Sequence, residues 1–367
     1  VAWSRRYDAM EMAVERQALL DGGWLGDPTT LNFQVFTTRD GTQSGGPGDI
    51  PGRNDIRDTI GDDWLASDYW KDQDNIRLNG KLTSYFGRSS ANDRGKAAKV
   101  ILLAHGNQAM EPGNKIQNLV HNGTSGYRNL IQSHENHAAP LTLHITPTLA
   151  SALQWAKNPE PGVLNDGPSF NESIAALVAS GQADLLGSTF SDHIPKYFPL
   201  DFNASNISRS EHFLQSIYGG QPGAPRTAFW APERILDHET LAIISSLGFT
   251  HTFADQSRHF VKWFGRTSAL GTDGFRINEV NGVKIFPIHD VTSEYLDQTH
   301  DEGTSQPVRE LLSRRSRSGI QDQVVVLWRD MADFANSAKA SSYDTNVRWL
   351  ASRPWIRVVT AANIIDG

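Results

Sequence analysis

From Lys99 onward one pattern recurs and leaves few folds open: a short, unbroken apolar run, then a polar loop, then a longer amphipathic stretch. Lys99-Val100-Ile101-Leu102-Leu103-Ala104 is apolar at successive rather than alternate positions, which suits a strand covered on both faces. Runs of the same kind predict strands over 141–145, 183–186, 227–230, 250–253, 283–287, 324–328 and 355–360. Amphipathic spacing predicts helices over 116–133, 169–180, 209–218, 237–247 and 341–352. Gly248 stands where the 237–247 helix needs a left-handed C-terminal cap, and Asn281-Gly282 predicts a tight hairpin. Strands that alternate with helices build a parallel sheet covered on both faces, an α/β fold. Folds of that build place their chemistry at the carboxyl ends of the strands.

The first 95 residues lack this rhythm. A helix is expected over 7–20, where Met10, Met12, Ala13, Leu19 and Leu20 recur among charged residues. Residues 38–55 are so dense in turn formers that no regular element is expected there. The chain therefore divides into an N-terminal extension, 1–95, expected to pack on the main domain, and an α/β domain over 96–367.

Composition removes several classes of function. At 367 residues and 38% hydrophobic content a sizeable core can be buried. A net charge of −7, with no basic block beyond Arg314-Arg315-Ser316-Arg317, argues against a nucleic-acid partner; that short run reads as a solvated face. The absence of cysteine excludes disulfides, thiolate metal sites and cysteine nucleophiles. No run approaches the roughly 18 uncharged apolar residues of a membrane span, so no membrane partner is expected. The sequence opens on Val1 rather than methionine, and a secreted or periplasmic location is expected over a cytoplasmic one.

The expected strand ends carry His105-Gly106-Asn107-Gln108, then His144, then Asp184 with His193 nearby. They continue with Trp230 and Glu233, Asp255, His289-Asp290, and Trp328 with Asp330. A closed barrel would bring these groups to one mouth. Two carboxylates among histidines and tryptophans suit glycoside cleavage, in which one carboxyl attacks the anomeric carbon and the other protonates the departing oxygen. Each residue also has a structural alternative. Glu233 and Asp330 could cap the helices that follow them, Asp333 could replace Asp330 as the working carboxylate, and the histidines and Trp230 could simply pack. Asp255 and Asp290 divide evenly between structure and site.

These residues resemble the motifs of the family 57 glycoside hydrolases, the family of amylopullulanases, 4-α-glucanotransferases and branching enzymes. His105-Gly106-Asn107-Gln108-Ala109 is similar to the family's His-x-His-Gln-Pro at the end of the first strand. Gly181-Gln182-Ala183-Asp184 with Asp192-His193-Ile194-Pro195 resembles its Gly-x-x-Glu strand and His-Pro loop. Trp230-Ala231-Pro232-Glu233, followed by Ser246-Leu247-Gly248-Phe249, resembles its Trp-x-x-Glu motif, and Asp330 with Phe334 resembles its strand-end Asp and nearby aromatic. The resemblance implies a distorted, TIM-like (β/α)7 barrel of parallel strands with the first 95 residues as an extension. It also implies Glu233 as nucleophile and Asp330 as general acid/base. Asn107, Ala109 and Asp184 depart from the family's His, Pro and Glu, which alters the residues expected to contact the sugar nearest the bond.

The expected function is retaining cleavage or transfer of α-linked polysaccharide or oligosaccharide by double displacement. Glu233 and Asp330 are its catalytic residues, while His105, Asn107, His144, Asp184, His193, Trp230, Asp255 and Trp328 contact substrate. A carbohydrate is the expected partner, with no cofactor and no metal. One rival is a metal-dependent polysaccharide deacetylase, which needs an Asp and a His-x-x-x-His pair. His134-Glu135-Asn136-His137 has the wrong interval for that pair. The other rival is a carbohydrate-binding barrel without catalysis.

Overall fold

The computed structural model describes Gln17 and residues 98–107, 116–160, 162–219, 227–256, 275–289, 295–297, 304, 307–308, 311, 323–353 and 356–365, with the backbone of six short strands before them. Two compact units emerge, one of Val1–Glu11 with Ala97–Gly367, the other of Met12–Lys96. In the first unit β1 (Ala2–Ser4) pairs antiparallel with β2 (Ala9–Glu11). A strand thus replaces the start of the helix expected over 7–20, because cross-strand pairing, Trp3 opposite Met10, overrides a weak local helical preference. The rest of that expected helix, Gln17 apart, and residues 39–55 lie outside the described residues. In the second unit β3 (Thr30–Phe33) pairs antiparallel with β6 (Gly87–Ser90), and β4 (Val35–Thr38) with β5 (Ile56–Ile60).

Seven parallel strands among the described residues carry the main domain: β7 (Ala98–Gly106), β8 (Leu141–Ile145), β9 (Ala183–Leu185), β10 (Ala228–Phe229), β11 (His251–Asp255), β13 (Val283–Ile288) and β14 (Val325–Asp330). Their spatial order is β10-β11-β13-β14-β7-β8-β9. Gly187, just past β9, closes the ring onto β10: its N–H donates to Ala228 O at 2.9 Å and its carbonyl accepts from Trp230 N at 2.8 Å. Glycine is required there, since a Cβ would lie 2.4 Å from the Phe249 ring. The result is of the α/β class expected from the strand–helix rhythm, nearly closed into the barrel that the family resemblance implies.

Two further strands attach to it. β12 (Asn278–Val280) forms the expected hairpin with β13, Asn281 and Gly282 adopting φ of 53° and 76° as a type I′ turn demands. β15 (Ile356–Val358) pairs with the start of β7.

The helices follow the strands: α1 (Ile116–Val120), α2 (Arg128–Asn136), α3 (Pro147–Trp155), α4 (Gly167–Ala179), α5 (Leu200–Tyr218), α6 (His238–Ser246), α7 (Ser337–Ala351) and α8 (Ala361–Ile365). The single helix expected over 116–133 is two. At Gly126 the chain turns with φ 113°, and a Cβ there would meet Val120 O at 2.6 Å. Helix α3 was not expected; its signal is Thr146-Pro147, an N-cap whose side chain accepts from Leu149 N at 3.2 Å, with proline at the first helical position.

Alternate strand residues face opposite ways. On one face Val100, Leu102, Ala104, Leu143, Val325 and Leu327 pack with helical Leu130, Leu149, Phe170 and Tyr343. On the other Ile101, Leu103, Ala228, Trp230, Phe253, Phe286, Val324 and Val326 pack on one another and fill the barrel. Each fully buried aliphatic or Phe side chain contributes about 1.5–3 kcal/mol. Above that filling, the next inward positions are polar.

Candidate active site

Continuing each inward row by two residues reaches His105 after Ile101 and Leu103, Asp255 after Phe253, and Asp330 after Val326 and Trp328. Asp330, His105 and His144 stand side by side in register across β14, β7 and β8, forming one level at the carboxyl end of the barrel. Five of the expected site residues, His105, His144, Trp230, Asp255 and Trp328, come together here with Asp330.

The two histidines are stacked, ring centroids 4.8 Å apart, and share a hydrogen bond between their Nδ1 atoms at 2.8 Å. One ring donates and the other accepts, an arrangement that two neutral imidazoles satisfy. Trp230 stacks on both, at 5.0 Å from His105 and 5.5 Å from His144. His144 Nε2 and Trp230 Nε1 are buried without a hydrogen-bond partner among the described residues. Buried polar atoms without a partner are uncommon and mark places where water, an ion or a ligand can complete the bonding.

Burial, reinforced by the Arg234 guanidinium, lowers the His105 pKa from 6.5 to about 3. Burial and then His105 hold His144 well below the ordinary range. His134, buried between α2 and α7 and bonded to Ala139 O at 2.9 Å and Tyr343 Oη at 2.8 Å, falls to about 4, again through burial. Between the folded and unfolded pKa values the unfolded chain binds the extra protons. The stability these groups confer is therefore full above pH 6.5 and is lost as pH falls toward about 4 and then about 3. Lowering the pH from about 6.5 to about 5 is expected to cost about 2 kcal/mol for each of His105 and His134. Urea unfolding at the two pH values measures this, and an unchanged midpoint contradicts it.

Glu233 lies in the short 3-10 turn Pro232–Arg234 that follows β10. Glu233 and Arg234 both adopt left-handed backbone, φ 53° and 56°. Such residues cost about 1–3 kcal/mol each and persist where surrounding structure enforces them, a common state of working sites. Glu233 is exposed. Helix α6 is capped by Asp237, whose Oδ1 accepts from Thr240 N at 2.8 Å, so Glu233 has no capping duty there. Arg234 was not singled out from the sequence. It pairs through Nε with Asp255, 1% exposed, at 2.8 Å, and its guanidinium lies 4.7 Å over the Trp328 ring and 5.9 Å from Trp230. Asp255 and Trp328 thus hold Arg234, and Arg234 ties the Glu233 turn to the barrel.

Asp330 accepts from Ala332 N at 2.9 Å, so it also caps the turn that follows. Its charge raises the pKa of buried Tyr127, second to burial. The competing Asp333 is engaged by Lys339 Nζ at 2.8 Å and Arg329 Nε at 3.2 Å, in a cluster that includes Asp297. Phe334 is buried edge-on to Tyr343, ring centroids 5.0 Å apart.

A third carboxyl, Asp192, stands in the sequence only as part of a loop motif. Asn107 donates to Asp192 Oδ2. Burial first, then Glu233, raises the Asp192 pKa to about 7; Arg234 opposes this and Asp330 adds to it. Both expected catalytic carboxylates therefore lie within electrostatic reach of Asp192.

Two expected substrate contacts make hydrogen bonds within the fold. Asp184 sits level with Thr142 and Leu103, two residues short of His144 and His105, and accepts from Ala362 N at the start of α8 at 3.3 Å. His193 bonds through Nε2 to Asn203 Oδ1 at 2.9 Å and packs on Phe198 and Phe202. Asp290 lies outside the described residues. His137 bonds to Asp344 at 3.0 Å, and among the described residues no group of three or more His, Asp or Glu side chains could hold a metal ion.

A nearly closed parallel barrel with carboxyl, imidazole and indole groups at its mouth defines an α/β barrel with a polar site at the carboxyl ends of its strands. The chain belongs to glycosyl hydrolase family 57, whose model matches residues 79–364. No curated protein matches it.

Solved structures similar to it include a 4-α-glucanotransferase from Thermococcus litoralis, with a TM-score of 0.59 at 15% identity over 74% of this chain and 40% of that one. A branching enzyme from Pyrococcus horikoshii aligns with a TM-score of 0.53 at 13% identity over 74% of this chain and 70% of that one. An α-amylase from Thermotoga maritima aligns with a TM-score of 0.54 at 11% identity, covering 74% of each chain. The chain thus spans less than half of the glucanotransferase.

Proposed function

We propose that the protein is a retaining glycosidase or transglycosylase acting on α-linked glucan or a related α-linked polysaccharide, with Glu233 and Asp330 as its catalytic pair. The observation that carries this is the shared mouth: Asp330 in register with His105 and His144, the Glu233 turn pinned by Arg234, and Asp192 under the influence of both carboxylates.

In the first step the Glu233 carboxylate attacks the anomeric carbon. The bond to the leaving oxygen breaks while protonated Asp330 donates its proton to that oxygen. In the second step Asp330, now a carboxylate, takes a proton from water or an acceptor hydroxyl, whose oxygen displaces Glu233. Neutral His105 and His144 and the Trp230 N–H supply hydrogen bonds to sugar hydroxyls.

Incubation with a panel of α-linked polysaccharides, followed by product analysis, is expected to yield shorter or rearranged oligosaccharides, with the yield unchanged by a metal chelator. Failure on every α-linked polymer, together with chelator-sensitive release of acetate from an acetylated one, would replace this reading with deacetylation.

A further inference from the structure

The loop between β9 and α5 carries Asp192 in left-handed backbone, φ 60°, a conformation that costs a non-glycine residue about 1–2 kcal/mol and needs support. Support comes from both sides of the residue. Phe190 N donates to Asn206 Oδ1 at 2.7 Å, and Thr189 Oγ1 donates to His193 O at 3.1 Å. His193 is held at 2.9 Å by Asn203, which is fully buried and donates to Pro195 O at 2.8 Å and Phe198 O at 3.1 Å. Four helix and loop side chains thus fix one aspartate at the mouth.

The two oxygens of Asp192 differ. Oδ2 accepts from the Asn107 amide, whereas Oδ1 is buried with no hydrogen-bond partner among the described residues. A carboxyl oxygen that is desolvated and left unpaired costs about 1–3 kcal/mol, so a site retains one where a ligand completes it. Asn107 lies one residue beyond the end of β7 and two beyond His105, so the pair borders the level that holds His105, His144 and Asp330.

We infer that Asn107 and Asp192 form a paired amide–carboxyl clamp for hydroxyl groups of the sugar at the cleaved bond, and that this pair sets which sugar the site accepts. The inference rests on the glycosidase reading above. A neutral amide and a carboxyl fixed side by side present both donor and acceptor to vicinal hydroxyls, and the pattern penalises a sugar whose hydroxyl points the other way. Raised proton affinity from burial and from Glu233 lets Asp192 Oδ1 act as donor or acceptor near neutrality.

The test uses the full chain with p-nitrophenyl α-glucoside and p-nitrophenyl α-galactoside, comparing wild type with Asn107→Ala, Asp192→Ala, the isosteric Asp192→Asn and the double alanine variant. Each single variant is expected to move the ratio of kcat/KM for the two glycosides toward unity by about 10-fold, the worth of one hydrogen bond to a buried charged or polar group. The double variant should move it no further than the worse single variant, because the two residues act as one unit. Thermal unfolding accompanies each assay, and Asp192→Asn, which keeps shape and loop contacts, serves if Asp192→Ala unfolds. An unchanged ratio in folded Asp192→Asn, or single effects that multiply in the double variant, overturns the clamp while leaving the glycosidase reading standing. Wild type that cleaves neither glycoside nor any α-linked polymer overturns that reading and the clamp with it.

Discussion

Glu233→Ala is expected to lower kcat on an α-linked oligosaccharide by about 10⁴-fold or more, the scale on which removal of a covalent nucleophile acts, while the protein stays folded. The two halves of that expectation have separate physical grounds. Glu233 is exposed, in a turn of its own, and the helix beyond it is capped by Asp237 rather than by Glu233. Removing its carboxylate therefore breaks no described structural hydrogen bond. It also relieves repulsion on Asp192, whose pKa should fall toward the ordinary carboxylate range. Turnover assays with thermal unfolding check both halves. A folded variant with wild-type kcat contradicts the nucleophile assignment, and one that melts far below wild type contradicts the structural account of the turn.

Arg234→Met is expected to cost about 3–5 kcal/mol of stability, because it removes the guanidinium that lies 2.8 Å from the carboxylate of Asp255, which is 1% exposed. The same change frees the Glu233 turn from Trp328 and Trp230, so activity should fall even under conditions where the fold persists. Adding Asp255→Asn to Arg234→Met should recover part of the stability and none of the activity, since the buried charge is gone but the turn is still untethered. Denaturant midpoints of the three proteins measure this. A loss below about 1 kcal/mol for Arg234→Met would show that the pair is solvated rather than buried.

Where an element is held by its own residues, the sequence announced it. Strand β7 is visible because five successive apolar residues, Val100 to Ala104, can only be covered on both sides, and the β12–β13 hairpin because Asn281-Gly282 tolerates positive φ at both turn positions. Strand-end position also drew attention to Glu233 and to the His105, His144 and Asp330 level, since parallel barrels expose those ends.

What escaped was set by approach rather than by local pattern. The break between α1 and α2 follows from how close Gly126 comes to Val120, which no periodicity reveals. Asp184 looked like a site residue because it stands near the end of its strand, but β9 stops two residues lower in register, and that shift gives it to α8. His193 carried the more recognisable side chain of the Asp192-His193 pair, yet packing turns it toward Asn203 and leaves Asp192 as the group coupled to the carboxylates. Arg234 lay hidden beside a more conspicuous neighbour. Its pairing with Asp255 joins residues on two different strand ends, which is decided only when the barrel closes.

In the proposed reaction two carboxylates at one barrel mouth cleave an α-linked bond through an intermediate on Glu233. Proton NMR of the first product formed from an α-linked oligosaccharide, recorded before mutarotation, tests it most directly. Two displacements at the anomeric carbon return the starting configuration, so the first product should be the α-anomer; initial release of the β-anomer would mean a single displacement and would contradict the claim.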